Sequence, residues 1–134
     1  MINSLFNEEL NIVETKFKGD ITEQDVITYL KAFGDNKTYP RQLKTITDTT
    51  LAKFIFSYRS LKRFNLAKTK SLKNYDIVAT AVIVNSPTTA ALATLYQAVA
   101  RNKKYKYKVF CTQEGAIDWL NCYNFSEEKK SITT

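Results

Sequence analysis

Along this chain the apolar positions switch repeatedly between a period of two and a period near 3.6, the rhythms of strands and helices. Val13, Thr15 and Phe17 alternate with Glu14, Lys16 and Lys18, which predicts a strand over Leu10 to Lys18 with one covered face. Ser4-Leu5-Phe6 precedes it through Asn7-Glu8-Glu9, so the two runs are expected to pair as a hairpin ended by Gly19-Asp20. Thr22 then suits a helix N-cap, with Glu23 and Asp25 in the first turn at the positive end of the dipole. Val26, Ile27, Leu30 and Phe33 follow at helical spacing, Gly34 suits a stop, and Asp35 to Arg41 with Pro40 reads as a loop.

A second strand is expected over Leu43 to Asp48, with Thr49 to Lys53 as a connection and Phe54-Ile55-Phe56 as an apolar anchor. Ser57 would cap the next helix, which carries Leu61, Phe64, Ala67 and Leu72 among basic residues. Ile77 to Val84 has no alternation at all, as expected of a strand covered on both faces in a parallel sheet. Asn85-Ser86-Pro87 marks a helix start, with Ser86 as cap and Pro87 where no amide hydrogen is missed. Leu92, Leu95, Tyr96 and Val99 form a stripe at i, i+3, i+4 and i+7. The last strand is Tyr107 to Cys111; Thr112 then caps a helix lined by Ala116, Ile117, Leu120 and Tyr123, with Trp119 adjacent. The resulting order, β-β-α-β-α-β-α-β-α, implies βαβ crossovers and a mainly parallel sheet with helical cover.

Composition narrows the function classes. The chain has 134 residues, 44% of them apolar, with three glycines, two prolines and no histidine. Such a length suits one domain, expected over residues 1–125 with a polar tail over 126–134. The lack of histidine removes imidazole acid-base chemistry, His-dependent nucleophiles and His-ligated metals. With three glycines, no phosphate-binding glycine loop can be built, so no cofactor is expected. Asp20, Asp48 and Asp76 fall at strand or loop ends, where α/β proteins place functional groups, but in no motif demanding a shared metal or an acid-base pair. Cys111 and Cys122 match no zinc or redox spacing and are expected as reduced, buried or half-buried thiols, a disulfide or reactive thiol being the alternative. The longest apolar run, Ile77 to Val84, has eight residues against the ~20 of a spanning helix. A cytoplasmic, non-enzymatic protein is expected.

Charge changes the picture most. Lysine and arginine total 20 against 13 acids, a net charge of +7. Between Thr49 and Gln113 there are twelve basic residues and one acid, Asp76, so one side of the folded molecule is expected to be electropositive. One group includes Lys62, Lys68 and Lys70; another comprises Arg101, Lys103, Lys104, Lys106 and Lys108, interleaved with Tyr105 and Tyr107. Charge with interleaved rings is what a single-strand nucleic-acid platform uses. A solvated lysine face explains the same pattern.

Four segments together resemble the SpoIIAA-like fold of STAS domains, related to the lipid-binding CRAL-TRIO lobe, and more narrowly the small stand-alone bacterial SpoIIAA-like proteins. They are Gly19-Asp20-Ile21-Thr22 before a helix, Asp48 with Phe54 and Phe56 ahead of a capped helix, Val82-Ile83-Val84-Asn85-Ser86 leading to Leu92-Ala93 and Leu95-Tyr96, and Val109-Phe110 followed by Glu114 to Leu120. The resemblance implies an α/β SpoIIAA-like βα superhelix: about five strands, mainly parallel, an N-terminal antiparallel hairpin and about four helices. It also implies a regulatory or protein-interaction module. Anti-sigma antagonists of this fold carry an Asp-Ser-Ser-Gly-like turn whose serine is phosphorylated; Phe56-Ser57-Tyr58-Arg59 keeps the serine but lacks the acid and the glycine. Ser57, Arg59 and Arg63 are thus the candidate phospho-acceptor or partner site, with an acidic protein as the expected partner. The alternative is a carrier of a lipid-like ligand in an apolar pocket of Phe54, Phe56, Phe64, Tyr96, Phe110 and Trp119, residues that could equally fill a core. Single-stranded nucleic acid ranks third, and a homodimer is left open.

Overall fold

Each parallel step of the chain moves one strand further in the same direction, and this decides where the helices lie. In the computed structural model, which describes residues 1–125, the strands are β1 (Ile2–Asn7), β2 (Ile12–Thr22), β3 (Gln42–Ile55), β4 (Ile77–Ile83) and β5 (Tyr105–Phe110). They form one five-stranded sheet in the order β1-β2-β3-β4-β5. The β1–β2 pair is antiparallel and the other three pairs are parallel. The crossover helices are α1 (Glu23–Asp35), α2 (Leu61–Leu72) and α3 (Pro87–Val99). Right-handed crossovers taken in one direction deliver all three to the same face. The last helix, α4 (Gln113–Cys122), packs on the other face against Ile12, Ile46, Ala79 and Ala81. The expected polar tail over 126–134 lies outside the described residues.

The uninterrupted apolar run becomes β4, every residue of which is buried. Helices cover both of its faces, and β3 and β5 flank it. Three helices start where their caps predict. Thr22 and Asp25 form a reciprocal capping box, with N–H···O distances of 3.1 and 2.9 Å. Ser86 accepts from the Thr89 amide at 3.2 Å and Thr112 from the Gly115 amide at 3.1 Å.

Five expectations change. β2 does not stop at Gly19-Asp20, and β3 does not stop at Asp48. A register shift between Lys16 and Lys18 is followed by a further parallel ladder, Lys18 to Thr22 against Leu51 to Ile55. Gly19, at φ 75°, takes left-handed backbone just past that shift, which a glycine adopts without strain. Ser57 caps a three-residue 3₁₀ turn, Tyr58–Ser60, and α2 begins only at Leu61. The α3 stripe is half covered: Leu95 and Val99 are 47% and 39% exposed, while Ala93 packs with Val82 and Val84. Its small residues face the sheet, so its larger ones are pushed to the flanks. Finally, Cys111 and Cys122 are both free and exposed. Cys111 lies just past the end of β5, and Cys122 sits on the last turn of α4, whose inner residues are Ala116 and Leu120.

Candidate functional site

The face shared by α1, α2 and α3 is not completely filled. A cavity of about 120 Å³ lies between the three helices and the sheet. That is comparable to an apolar cavity of about 150 Å³ that admits benzene. Its sheet side carries a row of threonines, Thr45, Thr47 and Thr49 on β3 and Thr80 on β4. Thr45 donates its hydroxyl to Thr80 at 2.7 Å, so part of this polar row is internally satisfied. Period-two geometry explains why the row faces one way: alternate residues of β3 share a face, and this face takes the threonines. The helix side carries Leu30 of α1, Phe64 of α2, and Leu92 and Ala93 of α3.

The extension of β3 supplies one end of the cavity. There Phe54 stacks on Phe56 with centroids 4.8 Å apart, and Phe56 meets Phe64 edge-on at 5.0 Å. Strand pairing places the other end near the start of β5, where Tyr105 is buried. Because α2 runs back from the end of β3 toward the start of β4, Leu61 and Phe64 lie at the aromatic end. Lys68, one turn on, lies toward Tyr105.

Lys68 is the unusual group. It is 5% exposed and lines the cavity. Its Nζ sits 4.3 Å from the Phe33 ring centroid and 4.7 Å from that of Tyr105. Among the described residues it has no ion pair and no hydrogen bond. Two ring faces offset part of the cost of desolvating an ammonium, but no carboxylate lines the cavity. Burial lowers the Lys68 pKa to about 7. The tyrosines around the cavity, Tyr29, Tyr96, Tyr105 and Tyr107, are pushed up by burial and stay protonated. Lys68 is therefore the lining group that changes charge near neutral pH. A buried charge without a counter-ion normally signals a site completed by something else.

The other candidate residues are distributed differently from expectation. Phe54, Phe56, Phe64 and Tyr96 do line the cavity. Phe110 and Trp119 do not: they meet each other at 5.8 Å and pack against the core beneath α4, on the opposite face. Lys68 leaves the surface group in which its charge placed it, because it occupies the inward face of α2 with Phe64 and Leu72. Lys62 and Lys70 remain exposed on α2, as do Arg101, Lys103 and Lys104 ahead of β5, while Lys106 is half-buried. Tyr105 and Tyr107 pack toward the helices, and with Arg101, Lys103, Lys106 and Lys108 they also border a hollow beside edge strand β5. Ser57 is exposed and its hydroxyl accepts from the Arg59 amide at 3.3 Å. A three-residue 3₁₀ turn gives a phosphate little dipole to sit on. Arg63 pairs with Glu23 at 2.7 Å, linking α2 to the first turn of α1. Among the described residues no group of acids or cysteines is placed to hold a metal ion, and no helix is long and apolar enough to cross a membrane.

Reading only outward charge hides the Lys68 site. The signal that finds it is spacing: Leu61, Phe64, Lys68 and Leu72 fall at i, i+3, i+7 and i+11, which places the lysine inside the apolar stripe.

No family model matches this chain, and no curated protein does so. Among solved structures, it is similar to an uncharacterised protein of the DUF3478 family from Shewanella loihica PV-4, which has a SpoIIAA-like fold. The two chains are 15% identical and superpose with a TM-score of 0.57 over 90% of this chain and 92% of the other. At that identity the likeness shows architecture alone, and it agrees with the strand order, the antiparallel first pair and the four helices described above: the chain has a SpoIIAA-like α/β fold.

Proposed function

We propose that this protein is a non-enzymatic binding module whose working site is the sheet–helix cavity, and that it carries or senses a small ligand with an apolar body. The supporting observation is the unfilled space itself. About 120 Å³ of mainly apolar-walled space between three helices and a sheet leaves apolar surface that a ligand would cover. The wall chemistry suits the same reading: aromatic and aliphatic surface for affinity, with a few hydroxyls and one amine for orientation.

Native mass spectrometry of freshly purified protein tests this. The expected result is an added mass that Ala93→Leu, which fills the α3 wall, removes. A bare chain whose Leu30, Phe64 and Leu92 amide resonances also ignore added hexan-1-ol would contradict the reading.

A second reading has one favouring observation. Arg59, Lys62 and Lys70 are exposed on and just before α2, beside the exposed Tyr58, and this surface suits an acidic protein partner. Arg59→Glu combined with Arg63→Glu would abolish capture of that partner without unfolding the domain; retained capture would remove this surface from consideration.

A further inference from the structure

Resting on the cavity reading, we infer that the ligand is a small monocarboxylic acid: its carboxylate pairs with Lys68 Nζ and its apolar body extends toward Phe54, Phe56 and Phe64. Three observations point the same way.

The first is charge. Lys68 is the lone charged residue lining the cavity, is nineteen-twentieths buried, and has no acceptor among the described residues. The other titratable groups that line the cavity with it are neutral. They are Tyr29 on α1, Tyr96 on α3, and Tyr105 and Tyr107 on β5, all held protonated by burial. A monoanion neutralises one ammonium. A dianionic phosphate would leave an uncompensated buried charge, which costs several kcal/mol.

The second is polarity along the cavity. The amine and the Thr45–Thr80 hydroxyl pair lie toward the start of the parallel strands, and the stacked phenylalanines lie toward their ends. An acid with a short apolar tail matches this gradient in one orientation.

The third is size. A cavity of about 120 Å³, somewhat smaller than one of about 150 Å³ that admits benzene, favours a short acyl or aromatic acid over a long lipid. The amine in its free form lies near its charge midpoint, so the charged and neutral forms of the site are both accessible at neutral pH. An entering carboxylate selects the ammonium.

The test compares hexanoate and benzoate with their neutral amides, hexanamide and benzamide. Binding is measured by titration calorimetry at pH 6.5 on the wild type and on Lys68→Met. A charge-assisted contact predicts that the wild type binds each acid about tenfold or more tightly than its amide. Lys68→Met should erase or invert that preference while still binding the amides. If the wild type binds acid and amide equally, the inference fails and the cavity reading stands. If neither acids nor amides bind, both fail. If Lys68→Met keeps the preference for acids, the anion sits elsewhere and the assignment to Lys68 is wrong. Thermal melting of the variant reports its folding independently.

Discussion

At the scale of single residues the protein is governed by one mismatch, a lysine in an apolar position. Lys68 has a folded pKa of about 7 against about 10.4 in an unfolded chain. Below pH 7 both states are protonated and the folded state bears the full cost of burying the charge. Between about 7 and 10 the unfolded chain holds more protons, so stability rises with pH. Above about 10 the trend reverses: the buried tyrosines have raised folded pKa values, and their contribution is lost as the unfolded chain ionises. Urea unfolding at pH 6 and pH 9 should thus show the wild type more stable at pH 9. Lys68→Met should be more stable than wild type at pH 6 by about 1–4 kcal/mol, as when buried charges are replaced by apolar isosteres. It should also lose most of the difference between the two pH values. A variant less stable at pH 6 would mean that the ammonium has a partner. This site was legible only in part. Phe54, Phe56 and Phe64 could be named as candidate pocket residues through the resemblance to a lipid-binding fold, though the same spacing suits a filled core. Lys68 could not be separated from its solvated neighbours by charge, and Phe110 and Trp119 could not be assigned to a face until the side taken by α4 was known.

Elements carry the next level of the account, and here caps and close approaches decide outcomes. Thr22 and Asp25 exchange both capping bonds, so Thr22→Ala should cost about 1 kcal/mol in chemical denaturation. Gly34 is where α1 and α2 touch. A Cβ there would stand 2.7 Å from Ser71 Oγ and 2.8 Å from Ser71 Cα. Ser71 also donates to the Leu30 carbonyl at 2.6 Å, so it cannot simply turn away. Gly34→Ala therefore gains up to ~1 kcal/mol of helix propensity but loses about 1–3 kcal/mol to overpacking. The expected result is a net drop in melting temperature. The starts of α1, α3 and α4 were readable because a cap is a local event, settled by two or three neighbouring side chains; α2 starts without a side-chain cap, and its start was not. Strand ends were not. β3 continues seven residues past Asp48 because β2 continues beside it, and a ladder needs both partners. The partial exposure of α3 was equally hidden: stripe spacing shows which residues share a flank, but not whether anything packs against that flank. With Ala93 alone of its residues buried, α3 is expected to be the least protected helix in hydrogen exchange and to gain protection when the cavity is filled. Protection equal to that of α4 in the empty protein would contradict this.

On the scale of the whole molecule, a chain order that always steps one way across the sheet puts three helices on one face and leaves one for the other. The continuous apolar run of β4 made the parallel, doubly covered sheet legible, and the alternation of helix and strand made the topology legible. The void was not legible. Aromatic residues at core spacing fill space in most folds, and whether they meet depends on helix placement to within an ångström or two. Lysines on α2 and ahead of β5 remain exposed, but the most consequential member of that basic run is the one that folding removes from water. The most direct measurement is therefore the titration of Lys68 itself, followed by its ¹³Cε resonance in the empty protein and again with hexanoate. The account predicts a midpoint near 7 that climbs when the acid is added. A midpoint near that of free lysine in the empty protein would contradict the account, because the amine would then be hydrated or paired and the cavity would lack the charge on which its chemistry depends.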